Sequence, residues 1–311
     1  MINMKSPRIA YGEALVDLGR IDENIVVLDA DLAHATQTIL FKEKFKDRFF
    51  NIGIAEQNMM GIAAGLSLSG FIPFASTFAI FGAGRAFEQI RNTICYPNLN
   101  VKIAVTHAGI TVGEDGASHQ AIEDISLMRS IPNMKVIVPC DAIETKKAVF
   151  AAAKINGPVY IRIARPVAPI ITEENAEFKI GKAQILREGK DFTIFATGLM
   201  VEKAIEAANI LYNAGIEATV VNVHTIKPLD EELIIEEAVK TGKVITIEEH
   251  SVIGGLGSAV AETLIGKVPI KMKILGIKDT FGQSGDPDLL LKHYGLTAEN
   301  IVETVTEMLN D

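Results

Sequence analysis

Short β-branched runs alternate with longer stretches of helical periodicity along the first half of the chain. IVVLDADL (25–32), FFNIGI (49–54), IPFAST (72–77), VKIAVTHAG (101–109), KVIVPCD (135–141) and VYIRIAR (159–165) read as strands. Helices are predicted through AEQNMMGIAAGLSL, from about residue 82 to 94, and in AIEDISLMRSI. Apolar strands separated by helices predict a parallel sheet covered on both faces. The pattern breaks at PVAPIITEENAEFKIGKAQILREGKD (166–191), which is rich in Pro and charge and reads as a linker with a short edge element. A second series follows: FTIFATG (192–198), a helix over 200–214, EATVVNVHTI (217–226), a helix over 230–241, KVITIEEH (243–250), a helix over 254–267, IKMKILGI (270–277) and two closing helices. The expected fold is α/β with two domains, residues 1–175 and 176–311. Each is a mainly parallel sheet with flanking helices, of ordinary domain size.

Composition narrows the function. Of 311 residues, 48% are hydrophobic and 22% charged, which supports a sizeable core and argues against general disorder. Lys plus Arg total 30 against 39 Asp plus Glu, a formal net charge of -9 with no basic run, so nucleic acid is not expected as a partner. A few local cations are still enough to hold a small anion. Cys95 and Cys140 make neither a disulfide framework nor a zinc site. No apolar run approaches the roughly 20 residues of a membrane span. MINMKSPRIAYGEALVDLG has no continuous apolar segment of the secretory kind, so a cytoplasmic location is expected.

Three stretches carry candidate chemistry. Glu56 stands at the strand-to-helix junction of NIGIAEQNMMGIAAGL. It is either an acid favoured by the helix macrodipole or a buried carboxylate with a raised pKa used in proton transfer. THAGITVGEDGASHQAIEDI (106–125) lies between a strand and a helix, at the carboxyl end of the sheet, where open α/β sheets bind ligands. His107, Glu114, Asp115 and His119 crowd into it among glycines. Metal binding is not expected there, because the spacing matches no standard zinc pattern. Phe78 and Phe81, three residues apart in STFAIFGAG, form either a helical core pair or a flat platform for an aromatic ring. GAGRAF and GGLGSA are glycine-rich without a complete dinucleotide fingerprint; GGLGSA serves either a phosphate or close packing.

GIAEQNMMGIAAGL, the STF segment and THAGITVGEDGASHQAIEDISLMRSIPNM together resemble the C-terminal half of transketolase. ATG, NVHTIKPLDEE, VITIEEH and GGLGSAVAE resemble its C-terminal domain, so the likeness runs along essentially the whole chain. The family's GDG…N motif for diphosphate and metal does not occur in the sequence. The resemblance is therefore to the second subunit of a split transketolase, with the pyrimidine-binding and C-terminal domains. It implies transfer of a two-carbon ketol unit from a ketose phosphate to an aldose phosphate, in the pentose phosphate part of carbohydrate metabolism. It implies thiamine diphosphate, with Mg2+ or Ca2+ held by an N-terminal partner subunit. It also implies a homodimer of this chain inside a heterotetramer.

Residue by residue, Glu56 matches the glutamate that pairs with N1′ of the aminopyrimidine, and Phe78 and Phe81 match the platform beneath that ring. His119 matches the histidine near the reacting carbon, and Asp115 an acid that reads an acceptor hydroxyl. His107, Arg165 and Arg8 match positions that hold the sugar phosphate. Asp31, in DADL, matches an acid near the cofactor at the subunit interface; read from the residues alone, it could equally cap a helix. Two positions depart from the family: a frequent tyrosine falls at Gly84 and a frequent serine at Ala35. Three other classes share the layout. Half of a deoxyxylulose-phosphate synthase usually carries arginine at the Phe81 position. The beta subunit of a 2-oxo acid dehydrogenase usually lacks the GEDGxxHQ loop. A non-catalytic partner would have no need of Glu56, His119 and Asp115.

Overall fold

The computed structural model describes residues 3–310. Its first part runs β1 (Met4–Lys5), α1 (Pro7–Ile21), β2 (Ile25–Asp29), α2 (Ala33–Thr36), α3 (Ile39–Lys44), β3 (Phe49–Asn51), α4 (Glu56–Leu68), β4 (Ile72–Phe78), β5 (Lys102–Thr106), α5 (Asp124–Ser130), β6 (Lys135–Ile137), α6 (Ala142–Lys154), β7 (Val159–Arg162) and β8 (Ala168–Pro169). The second continues with β9 (Gln184–Arg187), β10 (Phe192–Ala196), α7 (Met200–Asn213), β11 (Ala218–Asn222), β12 (Thr225–Lys227), α8 (Glu231–Thr241), β13 (Lys243–Ser251), α9 (Leu256–Leu264), β14 (Lys271–Ile277), α10 (Pro287–His293) and α11 (Ala298–Asn310). The first sheet has strand order β12-β6-β7-β5-β4-β2-β3, parallel except for β12. The second has order β14-β13-β10-β11-β9, parallel except for β9. This is the mixed α/β, mainly parallel arrangement expected from the strand–helix alternation.

Three elements differ from the sequence pattern. EATVVNVHTI is not one strand: it ends at Asn222, and Thr225–Lys227 crosses to pair antiparallel with β6 of the first sheet. β11 is buried throughout and β12 over Thr225 and Ile226, and no polar break separates them at Val223, so hydropathy does not mark the turn. The helix expected from about 82 to 94 contains two π-helical stretches, Phe81–Arg85 and Gln89–Cys95, a form associated with functional sites. The linker holds β8, which pairs antiparallel with β1, and β9, the edge element of the second sheet.

The linker is fastened by one buried carboxylate. Asp141 caps α6 by accepting from the backbone N–H of Glu144 at 2.8 Å. It also accepts from the N–H groups of Ile171 (2.8 Å) and Thr172 (2.6 Å) and from the Thr172 hydroxyl (2.9 Å). A side chain serving a helix cap and a linker together holds three N–H groups that would otherwise lack partners. Asp141→Ala should therefore lower stability by roughly 2–5 kcal/mol, from a lost cap plus unpaired buried donors. Urea unfolding of the two proteins checks this, and an unchanged midpoint contradicts it.

Candidate functional site

The site is assembled by strand register. β4 and β5 pair with Phe78 opposite Thr106, so Phe78 and His107 emerge side by side at the carboxyl ends of neighbouring strands. α4 begins after β3, beyond a turn in which Gly53 takes φ +78°, and Glu56 is its first residue. That position places its side chain beneath the end of β4.

Glu56 is 1% exposed. Its Oε1 accepts from the Thr77 hydroxyl at 3.3 Å, and its Oε2 accepts from a guanidinium nitrogen of Arg85 at 2.8 Å. Arg85 also lies over the Phe81 ring, 4.5 Å from its centroid. The carboxylate is thus buried, as one of the two readings expects, but its surroundings are not simply apolar: Arg85 supplies a counter-charge. Sequence reading passed over Arg85. Its only signal is a lone cation in the small, apolar run GAGRAF, and the π-helical turn that brings it to Glu56 has no simple sequence signature.

Phe78 and Phe81 are not a helical core pair. Phe78 ends β4, Phe81 opens the π-helical turn, and their rings stack at 5.9 Å with an interplanar angle of 20°. His107 stacks on Phe78 at 3.9 Å, and His119 meets both phenyl rings edge-on at 6.3 and 5.4 Å. Gly84 is exposed, and a Cβ placed there would meet only Ile80, at 3.8 Å. The structure therefore leaves open space at Gly84, where the family often has a tyrosine.

Three basic groups gather beside this cluster. Arg8 donates to the carbonyls of Arg165 (2.9 Å) and Ala35 (2.6 Å). Where the family often has a serine hydroxyl, the backbone of Ala35 thus holds Arg8 instead. Arg165 donates to the Val112 carbonyl and lies 3.3 Å from the exposed Glu114 carboxylate, which a backbone hydrogen bond first and then Arg165 hold below the usual range. Burial and the neighbouring Arg165 lower the pKa of Arg8. His107 is buried with φ +59°, its Nδ1 sharing a hydrogen bond with the Thr106 hydroxyl at 2.8 Å. Burial first, then Arg8, Arg165 and His119, push its pKa down to about 3.

Not every expected residue joins the cluster. Asp115 is exposed at the end of the turn Ile110–Asp115. Asp31 lies off the end of β2 with φ +66° and accepts from the Asn51 amide at 2.8 Å. It does not cap α2. No side chain caps that helix; Asp29, which ends β2, instead accepts from Leu32 N–H and from the Thr36 and Thr38 hydroxyls. GGLGSA serves packing: Glu248 accepts from the N–H groups of Leu256 (2.7 Å) and Gly257 (2.8 Å), so the chain's own carboxylate fills the start of α9. A Cβ at Gly257 would lie 2.4 Å from Ile274.

A carboxylate at a helix start, an aromatic pair and basic groups thus gather at the carboxyl edge of the first sheet of this two-domain α/β protein, the place where open α/β sheets bind ligands. Residues 4–169 match the family described as "Transketolase, pyrimidine binding domain" and residues 181–301 that described as "Transketolase, C-terminal domain". The chain belongs to the transketolase family. It is 53% identical to a "Putative transketolase C-terminal section" of Methanocaldococcus jannaschii, over 97% of this chain and 96% of that protein. It is 44% identical to the "6-deoxy-6-sulfo-D-fructose transketolase subunit SqwH" of Clostridium sp. strain MSTE9, over 97% and 94%. A solved structure titled "Split gene transketolase, inactive beta4 tetramer" matches at 56% identity with TM-score 0.92, covering 98% of this chain and 99% of that one.

The depressed His107 pKa gives a signed test. Below its unfolded pKa of about 6.5, the unfolded chain takes a proton that folded His107 refuses until about pH 3. Stability is thus fully present above pH 6.5 and falls by up to about 1.4 kcal/mol per unit as pH drops toward 3. His107→Asn, which tolerates the left-handed backbone, should remove that share of the acid dependence. Unfolding curves of both proteins between pH 7 and pH 4.5 check it, and parallel pH profiles contradict it.

Proposed function

We propose that this chain is the pyrimidine-binding half of a two-subunit transketolase, in which residues 1–175 bind the aminopyrimidine and residues 176–311 form the C-terminal domain. The reaction is transfer of a two-carbon ketol unit from a ketose phosphate to an aldose phosphate, in the cytoplasmic pentose phosphate part of carbohydrate metabolism. The observation that carries this reading is Glu56, buried at the start of α4 beside the stacked Phe78 and Phe81. These residues fit the aminopyrimidine of thiamine diphosphate: a flat apolar face lies beside a carboxylate that can meet a ring nitrogen. Bound there, the cofactor supplies the nucleophilic carbon that a ketol transfer requires.

Each side chain then has a task. Arg85 fixes Oε2 of Glu56, which leaves Oε1, held only by the longer Thr77 contact, to hold a proton at N1′. Phe78 and Phe81 orient the ring and exclude water. His119 faces the reacting end, and Asp115 reads an acceptor hydroxyl. Arg8, His107 and Arg165 hold the terminal phosphate through charge-assisted or neutral hydrogen bonds. The Clostridium relative is named for a sulfonated sugar, and the same cations suit a sulfonate. Asp31 lies near the cofactor at the subunit boundary, and an N-terminal partner holds the diphosphate with Mg2+ or Ca2+.

The assembly in this reading is a heterotetramer built on a homodimer of this chain. α4 supports it. Gly61 and Gly65 face solvent, a Cβ at either meets nothing within 4 Å, and Ile54 and Leu68 beside them are 77% and 75% exposed. That face suits close approach of a second helix.

Two experiments test the reading. Alone, the chain should bind thiamine diphosphate weakly and transfer no ketol unit; mixing with its N-terminal partner should restore both. Tight, magnesium-dependent calorimetric binding to the isolated chain would defeat it. In the assembled enzyme, Glu56→Gln should keep cofactor affinity and lose about 10²–10⁴-fold in turnover, the range for a lost acid–base group. Turnover within a few-fold of wild type would leave Glu56 a helix-start acid.

A further inference from the structure

Every residue expected at the site precedes residue 176, yet the second domain reaches the loop that carries His107, Asp115 and His119. Glu249, on β13, is buried, and its Oε1 accepts from the backbone N–H of Thr111 at 2.5 Å. Gly109 takes φ +79°, and a Cβ there would lie 2.3 Å from the Glu249 carboxyl group. The loop therefore passes the carboxylate so closely that no side chain fits between them. The Glu249 carbonyl accepts from Arg162 at 3.0 Å, and the same guanidinium nitrogen donates to the Ala121 carbonyl at 3.1 Å. Gly109 N–H closes the loop on Ala121 at 2.8 Å. The anchors at 109 and 121 each lie two residues from a site histidine.

We propose that Glu249 is a positioning residue for this loop, so that docking of the second domain sets the geometry of the substrate end of the site. The proposal rests on reading that loop as the substrate end. A buried N–H needs an acceptor, and Glu249 supplies the acceptor for Thr111 from the opposite domain. Without it, the turn Ile110–Asp115 loses its tether at the start, and His107 and His119 lose their fixed spacing. Glu56, Phe78 and Phe81 have no contact with Glu249 in this network, so the cofactor end should be indifferent to it.

Three variants separate positioning from general support. Glu249→Ala removes the acceptor. Glu249→Asp keeps the charge but withdraws it by one methylene, and it serves if the alanine protein does not fold. Glu249→Gln keeps an acceptor oxygen. In the chain alone, Ala or Asp should speed amide exchange over residues 109–116 by about ten-fold or more while α4 is unchanged, as expected when a buried hydrogen bond worth about 1–1.5 kcal/mol is lost. In the assembled enzyme, the same variants should raise KM for the ketose donor by about ten-fold, with thiamine diphosphate affinity within about two-fold and Gln restoring wild-type behaviour, by the same energy scale. Unchanged exchange, cofactor affinity falling in step with KM, or Gln behaving as Ala would each overturn the proposal. A wild-type assembly without ketol transfer would sink the proposed reaction, and the exchange result would still decide the role of Glu249.

Discussion

The buried guanidinium of Arg162 is the point on which the two domains and the loop between them converge. It ends β7, and its Nε donates to Asp124 Oδ2 at 2.8 Å while Tyr160 donates to the same oxygen at 2.8 Å. Its remaining bonds reach Ala121 in the loop and Glu249 in the second sheet. A buried ion pair is weak evidence for net stability, because desolvation offsets attraction. Its value is in specificity. Removing either partner leaves an uncompensated charge, which costs about 3–5 kcal/mol, so the pair ties α5 to β7. The second domain joins through the Glu249 carbonyl, which accepts from the same guanidinium.

The same logic governs the acidic interior. KVITIEEHS is a strand buried along nearly its whole length, although it contains two glutamates and a histidine. Each carboxylate is used: Glu248 caps α9, and Glu249 holds Thr111. Glu144 accepts from Cys140 N–H and from the Asn222 amide, and its burial pushes its pKa up to about 7. Backbone N–H groups at helix starts and loop entries need acceptors when water is excluded, and carboxylates supply them. These buried acids serve the architecture of the chain.

Much of the fold was legible because parallel strands buried on both faces read as β-branched runs. What escaped the sequence depends on distant pairing. Val223 and His224 look like strand continuations, yet the chain turns there and delivers Thr225 to the other sheet. Asp31 and Asp29 stand two residues apart; β2 ends at Asp29, and the left-handed backbone at Asp31 leaves Asp29 to meet the hydroxyls of Thr36 and Thr38. Phe78 and His107 stand at strand ends, while Glu56 opens a helix, Phe81 a π-helical turn, and His119 lies in the loop after β5; the structure brings all five together although they follow no single periodicity. Arg85 and Glu249 were missed for opposite reasons. One reaches the site from a π-helical turn, and the other from a strand more than a hundred residues away.

The strained electrostatics of the basic corner follow from that arrangement. Burial first, and then the nearby Arg165, lower the pKa of Arg8, and both guanidinium groups add to the effect of burial on His107. Their donors are partly committed to the carbonyls of Ala35, Val112 and Arg165, which fixes the guanidinium planes. Like charges held together by backbone acceptors cannot relax apart, so an anion entering between them gains attraction from both and relieves their repulsion. His107 contributes differently: kept neutral, it adds no third charge and stays available as a hydrogen-bond partner whose proton sits on one nitrogen. Two guanidinium groups thus stand close together in a protein of net charge -9.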